Sequence, residues 1–357
     1  MVTGWNILLW LAVTLAFVTA ENESRKGVVK LANGVEHPGV QLQEGETTVY
    51  YGIKYGTAGR FEHAQPNTNF SYLNNPDRLQ AGHVCPQSPS IFAPGLPQRN
   101  LSMSEDCLYL DVYVPPSRKG KATPRPVLFW IYGGGFEMGD KDLYNSTILA
   151  KAVDAIVVTV NYRVSAFGFL STGDEVAPGN WTLGDLKLAL NWTIDNIAAF
   201  GGDPAKVTIF DESAGAVLTS ALLLDDDVRY KVKAGIAFSG NSLCGWAMNI
   251  NPAAGTFAIA GHLGCPNTTS AEAVACLRTL SYEVLLNGTT VLEKQLRPED
   301  TILDIYYTPV VDGFHLQKLP EDILRDWATA SDSYQERKVA MFITGCLRED
   351  FSLFTLC

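Results

Sequence analysis

The chain has 357 residues, of which 46% are apolar and only 18% charged, a composition that excludes disordered, collagenous and coiled-coil polypeptides and allows a large core. With 27 Lys+Arg against 38 Asp+Glu the formal net charge is −11, which offers no basic face to a nucleic acid. No internal repeat and no Pro/Ser-rich linker divides the chain, so one large domain is expected.

Ile7 to Val18 form an apolar stretch too short to cross a bilayer, and Val18-Thr19-Ala20 offers the small residues that a signal peptidase reads. Residues 1–20 are therefore expected to be a signal peptide, with the domain covering residues 21–357. The segment before Ile7 lacks the usual basic residues, so an uncleaved anchor or a buried helix is the competing reading. No second stretch of membrane length follows, and the protein is expected to be extracellular. Asn-x-Ser/Thr triplets at Asn22, Asn69, Asn100, Asn145, Asn180, Asn267 and Asn287 would then be glycan acceptors wherever they are exposed. An eighth, at Asn191, falls inside a helical pattern and is set aside. Seven cysteines on a secretory route point to disulfides, and the odd number leaves at least one unpaired.

Five short apolar runs read as buried strands: Val127 to Tyr132, Ala155 to Tyr162, Val207 to Phe210, Gly235 to Phe238 and Val339 to Thr344. Their lack of alternation suits strands covered on both faces. Between the second and third runs, Leu183, Leu186, Leu190, Ile194 and Ile197 recur at steps of three and four, which predicts a helix closed by Gly201-Gly202. A further helical pattern covers Ala216 to Leu224. Strands alternating with helices indicate an α/β fold with a mostly parallel sheet, whose ligands bind at the carboxyl ends of the strands.

Asp211-Glu212-Ser213-Ala214-Gly215 follows the third strand and leads straight into a helix, the setting of a nucleophile elbow. Such a turn exposes Ser213 Oγ and aims the Ala214 N–H, at a helix start, toward developing negative charge. The short string alone is common in loops; the strand before it and the helix after it give it weight. Gly133-Gly134-Gly135-Phe136 follows the strand ending at Tyr132, and glycines there let backbone N–H groups face a ligand. Gly134 and Gly135 would be the other oxyanion donors. A plain flexible turn is the alternative, whereas a phosphate loop is excluded because no Gly-Lys-Ser/Thr follows.

With these two elements, the chain resembles the type B carboxylesterase and cholinesterase family of α/β hydrolases over nearly its whole mature length. The supporting strings are Tyr51-Gly52-Ile53-Lys54-Tyr55, Ser104-Glu105-Asp106-Cys107-Leu108-Tyr109-Leu110, Asn161-Tyr162-Arg163, Phe200-Gly201-Gly202-Asp203-Pro204 and Pro309-Val310-Val311-Asp312-Gly313. The resemblance implies an α/β-hydrolase fold, a serine nucleophile acting through an acyl-enzyme, and a small-molecule ester as substrate. No metal and no cofactor is implied. It also implies disulfides Cys85 with Cys107 and Cys265 with Cys276; Cys244 and Cys346 are then read as buried thiols, with Cys357 left over. The family's triad acid follows a strand in a Gly-x-x-x-x-acid-Phe pattern, which falls on Asp350, with Glu349 as the fallback and a pair of solvated loop charges as the plain reading.

The resemblance also exposes departures. The family order is Ser, acid, His, yet His37, His63, His83, His262 and His315 all precede Asp350, so the chain is expected to be a C-terminally incomplete form lacking the last strands and the His-bearing loop. Asp211 stands where the family has the first elbow glycine, and a strained, positive φ is expected there. No Trp lies between Cys85 and Cys107, so choline esters are not expected as substrates. Trp246 matches a position that shapes the family's acyl pocket, or is a core Trp. A non-catalytic adhesion or ligand-binding protein on the same fold is the competing function. Two buried ion pairs are expected, Arg163 with Asp185 and Arg60 with Glu105, because an unpaired charge in the interior costs several kcal/mol.

Overall fold

The computed structural model describes residues 24–41, 46–71, 82–88, 102–117, 123–296, 307–329 and 340–344. Their backbone forms strands β1 (Ser24–Lys30), β2 (Glu36–Gln41), β3 (Thr48–Lys54), β4 (Gly56–Thr57), β5 (Gln65–Pro66), β6 (Tyr109–Val114), β7 (Arg125–Ile131), β8 (Ile156–Val160), β9 (Gly202–Glu212), β10 (Ala234–Phe238) and β11 (Ala340–Thr344). Nine of them make one sheet in the order β1-β2-β3-β6-β8-β7-β9-β10-β11, and β4 with β5 forms a small ribbon. The sheet is antiparallel from β1 to β8 and parallel from β8 to β11.

The parallel half is the part that the apolar runs predict. All five residues of β8, Ile156-Val157-Val158-Thr159-Val160, are buried on both faces, as a β-branched run in the middle of a covered sheet should be. In β7 the pattern alternates instead: Val127, Phe129 and Ile131 are wholly enclosed, while Leu128 and Trp130 are partly covered on the other face. β9 is longer than its apolar run. The helix before it, Trp181–Asn196, passes through a tight turn over Ile197–Phe200 and stops at Gly201, whose φ is 83°. Gly202 does not belong to that stop; it opens β9 opposite Arg125.

Helix Trp181–Asn196 lays Leu183, Leu186, Ala189 and Leu190 against the sheet. Helix Ala214–Leu224, which joins β9 to β10, is buried from Ala214 to Leu223. Burial all round is what a helix with almost no polar residue requires. The two expected ion pairs form. Arg163 donates from Nε and a terminal nitrogen to the Asp185 carboxylate at 2.8 and 2.7 Å, and Arg60 Nε donates to Glu105 at 2.9 Å. A third pair was not legible in the sequence: Lys141 Nζ, fully buried, reaches Asp111 at 2.9 Å and Asp142 at 2.6 Å. Among the described residues no helix is long and apolar enough to cross a membrane.

Candidate active site

β9 runs into Ser213, which has φ 56° and ψ −120°, and helix Ala214–Leu224 begins at the next residue. The sequence forces this sharp reversal because the helix packs directly behind the strand it leaves. A Cβ on Gly215 would stand 2.3 Å from Ile131 O, and one on Gly240 would stand 2.6 Å from Ser213 O. The turn is pinned on both sides: Ser213 N–H donates to Phe238 O at 2.8 Å, and Ser213 O accepts from Ala216 N–H at 2.9 Å. Ser213 remains partly exposed while the residues after it are buried. A non-glycine residue held at positive φ is costly, of order 1–3 kcal/mol, and persists where the surrounding structure over-determines it.

The strain therefore sits on Ser213 and not on Asp211, contrary to expectation. Asp211 lies within β9, in register with Ile131 and Ala237, and is absent from the positive-φ residues. Its peculiarity is chemical. It is fully buried, and neither carboxylate oxygen meets hydrogen-bond geometry with any group among the described residues. Burial pushes its pKa from 3.8 to about 8; the nearby Thr219 hydroxyl and Phe238 N–H draw it down only in part, and Glu212 raises it further.

The glycine loop closes over the elbow. A Cβ on Gly133 would lie 2.5 Å from Glu212 O and 3.0 Å from Ser213 Cβ, so only glycine lets the loop approach this closely. Gly134 and Gly135 have φ of 111° and 64°, and Gly134 O accepts from Glu137 and Met138 N–H. The amides of Gly134, Gly135 and Ala214 enter no backbone hydrogen bond among the described residues. Below the loop, Tyr132 and Tyr162 stack at 4.1 Å, and each hydroxyl donates to the other's carbonyl, tying the ends of β7 and β8 together. Phe136 is buried against Phe169 and, at 5.9 Å, Trp246, whose own burial makes it part of the core.

The described histidines make their contacts elsewhere. His37 Nδ1 meets Pro38 O, His83 Nδ1 meets Ser102 Oγ, and His262 ends helix Pro252–His262. His63 and His315 pack on each other, and burial lowers the pKa of both, that of His315 to about 4. Asp350 and Glu349 lie outside the described residues, so their relation to Ser213 is not part of this geometry.

A strained serine between a parallel strand and a buried helix, with a triple-glycine loop packed on it, is the arrangement that the resemblance implies. The carboxylesterase family pattern matches residues 31–356. The chain belongs to the carboxylesterase family. Its α/β-hydrolase fold follows from that membership and from the sheet described above. Similar proteins include a cholinesterase of Mus musculus, 35% identical over 339 residues, which cover 91% of this chain and 55% of the relative. A liver carboxylesterase of Sus scrofa is 37% identical over 279 residues, covering 75% and 48% respectively. Carboxylesterase 1E of Mus musculus is 40% identical over 231 residues, covering 63% and 41%. The chain spans about half the length of these relatives.

The family's two disulfides are present, Cys85–Cys107 with Cα atoms 5.0 Å apart and Cys265–Cys276 with Cα atoms 5.7 Å apart. Cys244 corrects the free-thiol reading, since it too is disulfide-bonded; Cys346 and Cys357 lie outside the described residues. Among the glycan candidates, Asn69, Asn145, Asn267 and Asn287 are exposed, whereas Asn22 and Asn100, like residues 1–20, are outside the described residues. Asn180 is a correction. It is wholly buried, donating from Nδ2 to Val310 O at 2.7 Å and accepting Val310 N–H at 3.0 Å, which leaves no amide for a sugar.

Proposed function

We propose that the chain carries the catalytic scaffold of a secreted serine carboxylic ester hydrolase. The observation that bears most weight is the strained Ser213 with Gly133 packed against its Cβ. In this reading Ser213 Oγ attacks the ester carbonyl carbon, and the amides of Gly134, Gly135 and Ala214 hold the oxyanion of the tetrahedral intermediate. Collapse expels the alcohol and leaves an acyl-enzyme, which water hydrolyses. Asp350 takes the part of the triad acid, with Glu349 as its alternate, orienting a histidine that is not among the five of this chain. The substrate is a small carboxylic ester, with choline esters disfavoured by the lack of a Trp between Cys85 and Cys107. Residues 1–20 direct secretion, and exposed Asn69, Asn145, Asn267 and Asn287 carry glycans.

A non-catalytic binding or adhesion role on the same fold is favoured by two specific observations: no described histidine contact reaches Ser213, and a buried carboxyl sits at Asp211. Incubation with p-nitrophenyl butyrate, acid quenching and peptide mapping separates the two. A single butyryl group on Ser213, absent in Ser213→Ala, supports the hydrolase scaffold; acylation scattered over surface lysines with none at Ser213 rejects it.

A further inference from the structure

The glycine loop over the elbow runs out onto a buried charge cluster that the proposed chemistry does not use. The loop closes on itself: Gly139, at φ 132°, leaves no room for a Cβ, which would lie 2.3 Å from Tyr132 Cδ2 and 2.9 Å from Gly133 O. A shift of Gly139 is therefore passed to Gly133, and through it to the amides of Gly134 and Gly135. Side chains from elsewhere in the chain hold this end. Gln87 clamps Gly139, donating to its carbonyl and accepting its N–H, both at 2.9 Å. The Lys141 N–H donates to Asn161 Oδ1 at 2.8 Å. Lys141 Nζ, fully buried, donates to Asp111 Oδ2 at 2.9 Å, while Asp111 Oδ1 accepts the Gly52 N–H at 2.7 Å.

We propose that Lys141 and Asp111 are positioning residues for the oxyanion loop, and that their ion pair sets an acid limit on acylation of Ser213. The inference rests on the hydrolase reading above. A well-packed apolar pair often holds a fold as well as a buried ion pair does. What the ion pair adds is direction, since a charge-assisted hydrogen bond fixes the turn Lys141–Leu143 relative to β6. Burial pushes the Asp111 carboxyl up, Lys141 pulls it down and Asp142 adds to the rise, which leaves it at about 6. Lys141 is itself held in the charged form, because Asp111 and Asp142 outweigh its burial. The proton taken up as pH falls therefore goes onto Asp111. Tyr113, also on β6, stays neutral throughout, burial having pushed its pKa far up, and Thr159 opposite on β8 and Gly52 on β3 bring no charge. Below about pH 6 Lys141 keeps Asp142 alone as a charged partner, at 2.6 Å, and its tie to β6 becomes an ordinary hydrogen bond. The loop then loses its anchor while the elbow, held by Phe238 and Ala216, keeps its shape.

The test compares the purified chain with the double variant Asp111→Asn, Lys141→Met, which removes both charges at similar volume so that neither is left buried alone. Fluorophosphonate labelling of Ser213 is followed by peptide mapping across the pH range, and the ratio of the two rates is taken, which cancels the pH dependence of the serine itself. The ratio of parent to variant is expected to be about ten above pH 7 and to fall to about one below pH 5, with its midpoint close to 6. A ratio that does not change with pH would overturn the proposal and leave Ser213 as the nucleophile; no labelling of Ser213 at any pH would reject the hydrolase reading and the proposal with it. Hydrogen exchange on the unmutated chain, corrected for its intrinsic pH dependence, needs neither the variant nor the reaction. Peptides spanning residues 133–143 should lose about tenfold in protection between pH 7 and pH 5 relative to those of β8, and equal protection at both would overturn the assignment.

Discussion

Replacing Asp211 by Asn keeps the shape of the side chain and removes its ability to ionise. In the native protein the carboxyl is fully buried, and that burial, only partly offset by the nearby Thr219 hydroxyl and Phe238 N–H, lifts its pKa from 3.8 to about 8. The folded state therefore holds a proton that the unfolded chain releases above pH 4. Stability conferred by that proton is complete below the unfolded pKa and is lost as pH rises toward the folded one. Each pH unit in this window costs about 1.4 kcal/mol, so the wild-type chain gives up roughly 4 kcal/mol between pH 4 and pH 7 and nothing more above pH 8 to 9. The Asn variant has no such slope. A constant offset from its buried amide is expected, so the informative quantity is how the difference between the two proteins changes with pH. Thermal unfolding at fixed scan rate should show the variant gaining on wild type by several degrees from pH 5 to pH 8, then holding level. A difference that stays constant from pH 5 to pH 8 would refute the argument, since a carboxyl that is ionised throughout cannot produce the slope.

Arg163→Ala should destabilise the fold by about 3–5 kcal/mol, read from urea midpoints, because Asp185 would be left buried and unpaired; Arg163→Ala with Asp185→Ala should cost less than the sum of the single changes. Gly133→Ala would force its Cβ to within 2.5 Å of Glu212 O, so acylation of Ser213 should fall by at least about tenfold even where the folded fraction is unchanged, as judged by circular dichroism. Glycopeptide mapping after secretion from eukaryotic cells should find sugar at Asn69, Asn145, Asn267 or Asn287 and none at Asn180, and Asn180→Ala should lower Tm through loss of both Val310 hydrogen bonds.

The parallel half of the sheet was legible because its strands are covered on both faces and read as apolar runs, β8 most plainly. The antiparallel half was not. β2 contains Pro38 and Gly39, which read locally as a turn, and β1 carries Arg25, Lys26 and Gly27; only the pairing of β1 with β2, and of β2 with β3, makes strands of them. At the site, the strand, turn and helix around Ser213 were readable from order alone, as was the glycine loop. The location of the strain was not, because φ depends on how β9 and its helix pack against β7 and β10. Asn180 shows the same limit: a glycan triplet is a local pattern, while burial against Val310 is decided by a residue 130 positions away. The Lys141–Asp111 pair joins the helical turn Lys141–Leu143 to the interior of β6, two places that no spacing rule connects.

The proposal stands on Ser213 as the nucleophile of an ester-hydrolase scaffold, with no contact from any of the described histidines to act as its base. Time-resolved fluorophosphonate labelling with peptide mapping tests both halves at once. A free serine hydroxyl is a weak nucleophile near neutral pH, while the oxyanion hole alone retains some acceleration, roughly 10³–10⁴-fold over water where a triad member is missing. An adduct confined to Ser213 is expected, forming slowly, over hours, and hastened by added imidazole. Complete labelling within minutes would contradict the absence of a base and return attention to the five histidines; an adduct elsewhere, with Ser213 unmodified, would contradict the nucleophile itself.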